Sequence, residues 1–142
     1  MKPEDGETEA GTGARASEYE GLQEGIRELR LPELETWTNQ YPDRDYRVHL
    51  EIPEFNCICP KTGLPDFATI AIDYVPDQLC VELKSLKLYV TAYRNVGIFH
   101  EHAVNKILDD FVRAVKPRSV DIRGVFSARG GISTTVSVSW KK

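Results

Sequence analysis

The chain has 142 residues, 41% of them hydrophobic and 28% charged, which fits a single globular domain of ordinary size. A formal net charge of −4 excludes attachment to nucleic acid by bulk electrostatics, so any anionic ligand must meet a local basic cluster. No apolar run approaches the roughly 18 residues that span a bilayer. Three cysteines without regular spacing argue against a disulfide framework. The acidic N-terminus lacks the charged-then-apolar pattern of a secretion signal. Reduced thiols and a cytoplasmic location are the expectation.

Residues 1–20, "MKPEDGETEAGTGARASEYE", have no apolar period and are expected to form a disordered tail, because they cannot bury enough surface to offset ordering entropy. Residues 21–43 carry scattered apolar side chains (Leu22, Ile26, Leu29, Leu31, Leu34, Trp37) and read as a loose arm. The folded domain is expected over 44–142. It opens with "RDYRVHLEI", where Tyr46, Val48, Leu50 and Ile52 alternate with Arg47, His49 and Glu51 as in a half-buried strand. "FATIAIDYV" gives a second strand, with Ala68, Ile70, Ile72 and Tyr74 on one face. "VELKSLKLYVTAYRN" then switches to helical spacing, with Leu83, Leu86, Tyr89 or Val90, and Tyr93 on one face, the core side, and Lys84, Lys87, Thr91 and Arg94 on another. A second helix over about 99–115 carries the stripe Val104, Ile107, Leu108, Phe111, Val112 and Val115, and Pro117 stops it. "SVDIRGVF" and "ISTTVSVSW" close the chain as strands. The order is β-β-α-α-β-β, an α+β fold with an antiparallel sheet whose two bare edges suit pairing with another subunit.

"NCICPKTGLPDFATI" sets Cys57 and Cys59 one residue apart, before a turn containing Pro60, Gly63 and Pro65. The pair admits three readings: a metal hook, a disulfide, or a nucleophile on a rigid turn. Zinc ordinarily takes four ligands. The other soft candidates, His49, His100, His102 and Cys80, stand at no paired-ligand spacing. Burial is the common fate of a free cysteine and is expected for Cys57 and Cys80. At Cys59 the turn's amides and the charge of Lys61 favour a lowered thiol pKa. A free thiol near 8.5 is only about 3% thiolate at pH 7, so such a shift would multiply the nucleophile. Asp66, seven residues on, is placed to return across the turn as proton donor or acceptor.

Lys84 and Lys87 are i, i+3 neighbours and share a helix face. Arg129 precedes Gly130 and Gly131, whose backbone amides could meet a phosphate. A solvated helix face and a plain hairpin turn explain these residues equally well. Glu101, between His100 and His102, suits the dipole of a helix's first turn; alternatively it accepts hydrogen bonds from a flat heterocycle.

Together "CPKTGLPDFATI", "ELKSLKLY", "YRNVGIFHE" and "RGGIS", in that order across about residues 44–135, resemble the QueF family of NADPH-dependent nitrile reductases (7-cyano-7-deazaguanine reductases of queuosine synthesis) in its single-module form. The resemblance implies the tunnelling fold (T-fold), with subunits joined edge to edge into pentameric barrels that stack as a decamer. It implies that Cys59 adds to the nitrile carbon as a covalent thioimide and that Asp66 is the proton donor. Val81, Glu82 and Leu83 would lie along the substrate, and His100 and Glu101 would bind the deazaguanine. Lys84, Ser85 and Lys87 would meet NADPH phosphates, with Arg129, Gly130 and Gly131 as further cofactor contacts. The implied partners are a small 7-deazapurine nitrile and other copies of the chain, with no metal, nucleic acid or membrane. Two NADPH would be consumed per aminomethyl product. One alternative is an amidinotransferase-like relative acting on nitrile-modified transfer RNA, a branch without the Lys-Ser-x-Lys signature. The other is a non-catalytic purine- or pterin-binding protein of the same fold, which has no need of Cys59 with Asp66.

Overall fold

A computed structural model describes residues 21–142; the proposed tail over 1–20 lies outside them. The elements in chain order are β1 (Thr36–Thr38), β2 (Val48–Ile58), β3 (Pro65–Val75), β4 (Leu79–Val81), α1 (Leu83–Ala92), α2 (His100–Val115), β5 (Ser119–Arg129) and β6 (Ile132–Lys141). The four long strands form one antiparallel sheet in the order β2-β3-β5-β6, while β1 pairs with β4. The long elements follow the expected β-β-α-α-β-β order. Two three-residue strands were invisible in the sequence because alternation needs more residues to register. They change the reading of the arm. It is not loose: β1 is paired, and Ile26, Leu31 and Leu34 pack against the core.

One sheet face is apolar and takes the helices. Ala68, Ile70, Ile72 and Tyr74 of β3 and Val120, Ile122 and Phe126 of β5 are buried, as are Val104, Ile107, Phe111 and Val115 of α2. Gly124 of β5 lets α2 come close, since a Cβ there would stand 2.7 Å from a Val104 methyl. α2 ends on Lys116 in the left-handed region (φ 50°), and Pro117 follows. Leu83, expected on the core face of α1, is instead 58% exposed, while Ser85, Leu86 and Tyr89 are buried. Leu83 is the first residue of the helix, and the Glu35 amide of the arm donates to the inward Ser85 hydroxyl (2.9 Å).

Two bulges decide what faces the helices at one end of the sheet. On β2 the register passes from Ile52 opposite Ile70 to Phe55 opposite Ala68, so β2 carries one extra residue. Side chains alternate with period 2, and one inserted residue inverts the alternation. Even positions (Val48, Leu50, Ile52) face inward before the bulge; Phe55, Cys57 and Cys59 do so after it. On β5 the register passes from Phe126 opposite Thr134 to Arg129 opposite Ile132, again with one extra residue. That brings Arg129 onto the side of the sheet where Phe126 lies. No helix among the described residues is long and apolar enough to cross a membrane.

Candidate active site

Cys59 follows β2 directly, and its turn closes on it from both ends. Its carbonyl accepts from the Gly63 amide and its amide donates to the Leu64 carbonyl, both at 2.9 Å. Gly63 sits at φ 73°, a conformation that glycine adopts without steric cost. The thiol is 8% exposed. Its pKa is lowered, first by the Thr62 hydroxyl, then by the Thr62 and Lys61 amides and by Arg129, against the raising effect of burial. The turn amides act as the sequence suggested. Thr62 and Arg129 as the side-chain donors were not foreseen, although a threonine ahead of a turn glycine is a recognisable hydroxyl-turn signal.

Asp66 opens β3 opposite Cys57 and is 2% exposed. One carboxylate oxygen pairs with the Arg129 guanidinium, and the other lies 2.9 Å from His100 Nε2. Arg129 also stands 3.3 Å from that nitrogen. The His100 ring lies flat on Phe126, centroids 3.8 Å apart and planes 8° from parallel. His100 reaches this place because the chain before α2 is stitched to β2. Ile58 donates to the Val96 carbonyl (2.9 Å) and accepts from the Ile98 amide (3.0 Å). The four chemical groups thus come from four parts of the chain, gathered at one end of the sheet. Cys57 takes no part in this cluster of donors. It is fully buried, its thiol points at the Ile98 carbonyl (3.7 Å), and its pKa is pushed up to about 12 by burial and then by the charge of Asp66.

The lowered thiol pKa can be tested without substrate. Removing a donor to the thiolate destabilises the charged form, so the pKa rises and alkylation moves to higher pH. Thr62→Val should shift the pH midpoint of Cys59 alkylation by iodoacetamide upward, and Arg129→Gln should do so by less. Quantified by mass spectrometry, an unchanged midpoint in Thr62→Val would contradict this account.

The remaining predicted site residues are distributed differently. Glu101 is exposed on the first turn of α2, beside His100. Gly130 and Gly131 take positive φ (57° and 80°) in the β5–β6 hairpin turn. Val81 is buried at the end of β4. Glu82 is the N-cap of α1, its carboxylate accepting from the Lys84 and Ser85 amides (2.8 and 2.6 Å), contacts that lower its pKa. Lys84 and Lys87 are both exposed. The Ser85 hydroxyl is already engaged, donating to the Glu82 carbonyl (2.7 Å) as well as accepting from Glu35. Among the described residues no hydrogen bond or ion pair joins this group to Cys59, Asp66 or His100. The reason is distance. The Val81 amide donates to the Tyr74 hydroxyl (3.2 Å), and Tyr74 is eight residues along β3 from Asp66, on the order of 25 Å at roughly 3.3 Å per residue.

A family profile described as "QueF-like protein" matches residues 65–142. The chain belongs to the QueF-like family. Among its relatives, the NADPH-dependent 7-cyano-7-deazaguanine reductase of Chloroherpeton thalassium is 59% identical over 108 residues, 76% of this chain and 93% of that one. The protein of the same name from Nitrosococcus oceani is 56% identical over 110 residues, covering 78% of this chain and 85% of its own. That from Chlorobaculum tepidum is 54% identical over 109 residues, covering 77% and 93%. Among solved structures, the apo archaeosine synthase QueF-Like superposes with a TM-score of 0.62 at 24% identity, covering 66% of this chain and 91% of that one. That likeness shows the fold alone. The QueF-like chain described here thus has the T-fold arrangement, with Asp66, Arg129 and the whole of both helices inside the matched segment and Cys59 just ahead of it.

Proposed function

We propose that this chain is an NADPH-dependent nitrile reductase that converts 7-cyano-7-deazaguanine to 7-aminomethyl-7-deazaguanine through a covalent thioimide on Cys59. One observation carries the reading: a nearly buried thiol of lowered pKa on a closed turn, beside the buried Asp66–His100 pair that Arg129 covers. A nitrile carbon accepts hydride poorly, and thiolate addition makes it a C=N that accepts one readily. The Cys59 thiol gives its proton to the Asp66 carboxylate, its sulfur bonds to the carbon as one C≡N π bond opens, and Asp66 delivers that proton to nitrogen. NADPH, when bound, supplies a hydride to that carbon and a second after sulfur has left. Cys59 departs between the two as the carbon–sulfur bond breaks, leaving an imine whose reduction gives the amine. Asp66 is held for the proton transfers by Arg129 on one oxygen and His100 on the other, while Phe126 fixes the imidazole plane.

The donor set suits an anionic cofactor. Lys84 and Lys87 are exposed on one face of α1, and Arg129 is half exposed. Ser85 fits less well: its hydroxyl reaches a phosphate only where the arm releases it. The purine edge falls to Glu101, whose carboxylate is exposed next to His100. Val81, Glu82 and Leu83 complete the substrate pocket from another copy, because one chain keeps them on the order of 25 Å from Asp66. Exposed apolar side chains support such docking at both places: Leu64 (64%), Phe67 (55%) and Ile132 (73%) near the thiol, Leu83 and Leu88 (53%) on α1. The proposed assembly is a closed ring joined through the β2 and β6 edges, two pentamers stacking as a decamer. A reducing cytoplasm suits an enzyme whose nucleophile must stay a free thiol.

The deciding assay follows nicotinamide absorbance with the nitrile present. Two NADPH should disappear for each aminomethyl product. Formation of the Cys59 adduct without NADPH oxidation would overturn the reductase reading in favour of an amidinotransferase-like chemistry. No adduct and no oxidation would sink both.

A further inference from the structure

α2 begins at the segment that carries His100 and Glu101, yet this helix start has no local cap. Its N-cap residue is Phe99, whose side chain cannot accept a hydrogen bond, and the position three residues on is His102. In a capping box, a Glu or Gln at that third position reaches back to the N-cap amide. Here the same service comes from 76 residues away. Gln23, in the arm, accepts from the Phe99 amide through Oε1 (3.0 Å). The same oxygen lies 2.8 Å from His102 Nδ1, and the Gln23 amide nitrogen donates to the Gly97 carbonyl (3.2 Å). One side chain therefore holds the backbone before His100 at two points and the ring after Glu101 at a third.

The arm is fixed just C-terminal to this contact. Ile26 packs against the core. Lys106 of α2, 5% exposed, donates to the Arg27 carbonyl (3.3 Å), and Arg27 pairs with Asp109 (3.7 Å). Gln23 thus acts from an anchored segment, which a dangling side chain could not do at comparable entropic cost. Residue 23 also lies outside the family-matched segment, 65–142.

We infer that Gln23 is a positioning residue for the nitrile substrate, clamping the Gly97–His102 segment so that His100 and Glu101 are set before the purine arrives. The inference rests on the substrate-binding role proposed for those two residues. Preorganisation of this kind acts on substrate affinity, because the ordering otherwise falls on the binding step. The cofactor does not depend on it, and the chemical step does so only through His100, which Asp66 and Phe126 also hold in place.

The test uses full-length wild type, Gln23→Ala and Gln23→Glu with 7-cyano-7-deazaguanine and NADPH. Gln23→Ala should raise KM for the nitrile about ten-fold, equivalent to about 1.4 kcal/mol, with kcat within about two-fold and KM for NADPH unchanged. Gln23→Glu keeps an acceptor for the Phe99 amide and should recover most of the loss. Amide hydrogen exchange on the same proteins, without ligand, should show Phe99 exchanging at least about ten-fold faster in Gln23→Ala alone. An unchanged nitrile KM overturns the inference, and so does a parallel rise in both KM values or an unchanged Phe99 exchange rate. Absence of turnover in wild type would strike the reductase reading instead, and the exchange measurement would still decide the clamp.

Discussion

Replacement of Cys59 by alanine should abolish both the covalent adduct and turnover, a loss of at least about 10³-fold, on the scale seen when an essential nucleophile is removed. The fold should survive, because the turn is closed by backbone bonds from Cys59 to Gly63 and Leu64 that alanine retains. Intact mass spectrometry with the nitrile and no NADPH gives the adduct directly, and spectrophotometry gives turnover. Cys57→Ala is the control. Its thiol is fully buried with a pKa raised to about 12 and should form no adduct. The variant should therefore keep the Cys59 adduct. An adduct on Cys57, or NADPH oxidation that persists in Cys59→Ala, would remove the nucleophile assignment.

Asp66→Asn should slow turnover about 10²- to 10⁴-fold, the range for loss of a positioned general acid. The substitution is close to isosteric. Its amide oxygen can still accept from Arg129 or His100, so the geometry is disturbed less than the proton inventory. Asparagine has no proton to give to nitrogen at the moment of sulfur attack, so adduct formation in single turnover should slow along with the steady state. Affinity for NADPH, measured by titration, should stay within about two-fold. If Asp66→Asn turned over at the wild-type rate, the proton donor would have to be sought elsewhere, His100 being the group in contact.

The sequence carried the long elements because each had enough residues to show its period. β3 alternates through Ala68, Ile70, Ile72 and Tyr74, and α2 repeats its stripe from Val104 to Val115; both faces are buried where expected. Short elements and one-residue irregularities carried no such signal. β1 and β4 have three residues each. The bulge on β2 falls at Pro53 and Glu54, and that on β5 at Ser127 and Ala128. Proline inside a strand hints at the first, but nothing local marks the second. Arg129 was therefore readable only as a turn residue or a phosphate contact. Its pairing with Asp66 depends on which face of the sheet it joins.

The chain by itself determined the element order, the apolar faces and the turn on which Cys59 is mounted, because these follow from periodicity and from Pro60, Gly63 and Pro65 within a few residues. Tertiary structure decided which thiol has its pKa lowered and which has it raised. Cys57 and Cys59 share one face, but only Cys59 has hydrogen-bond donors in the Thr62 hydroxyl, the turn amides and Arg129. It also decided that Arg129 meets Asp66 and that Gln23 caps the approach to α2. Such partnerships join residues up to 79 positions apart. Their energies arise when the sheet and the arm close, so no window of sequence contains them.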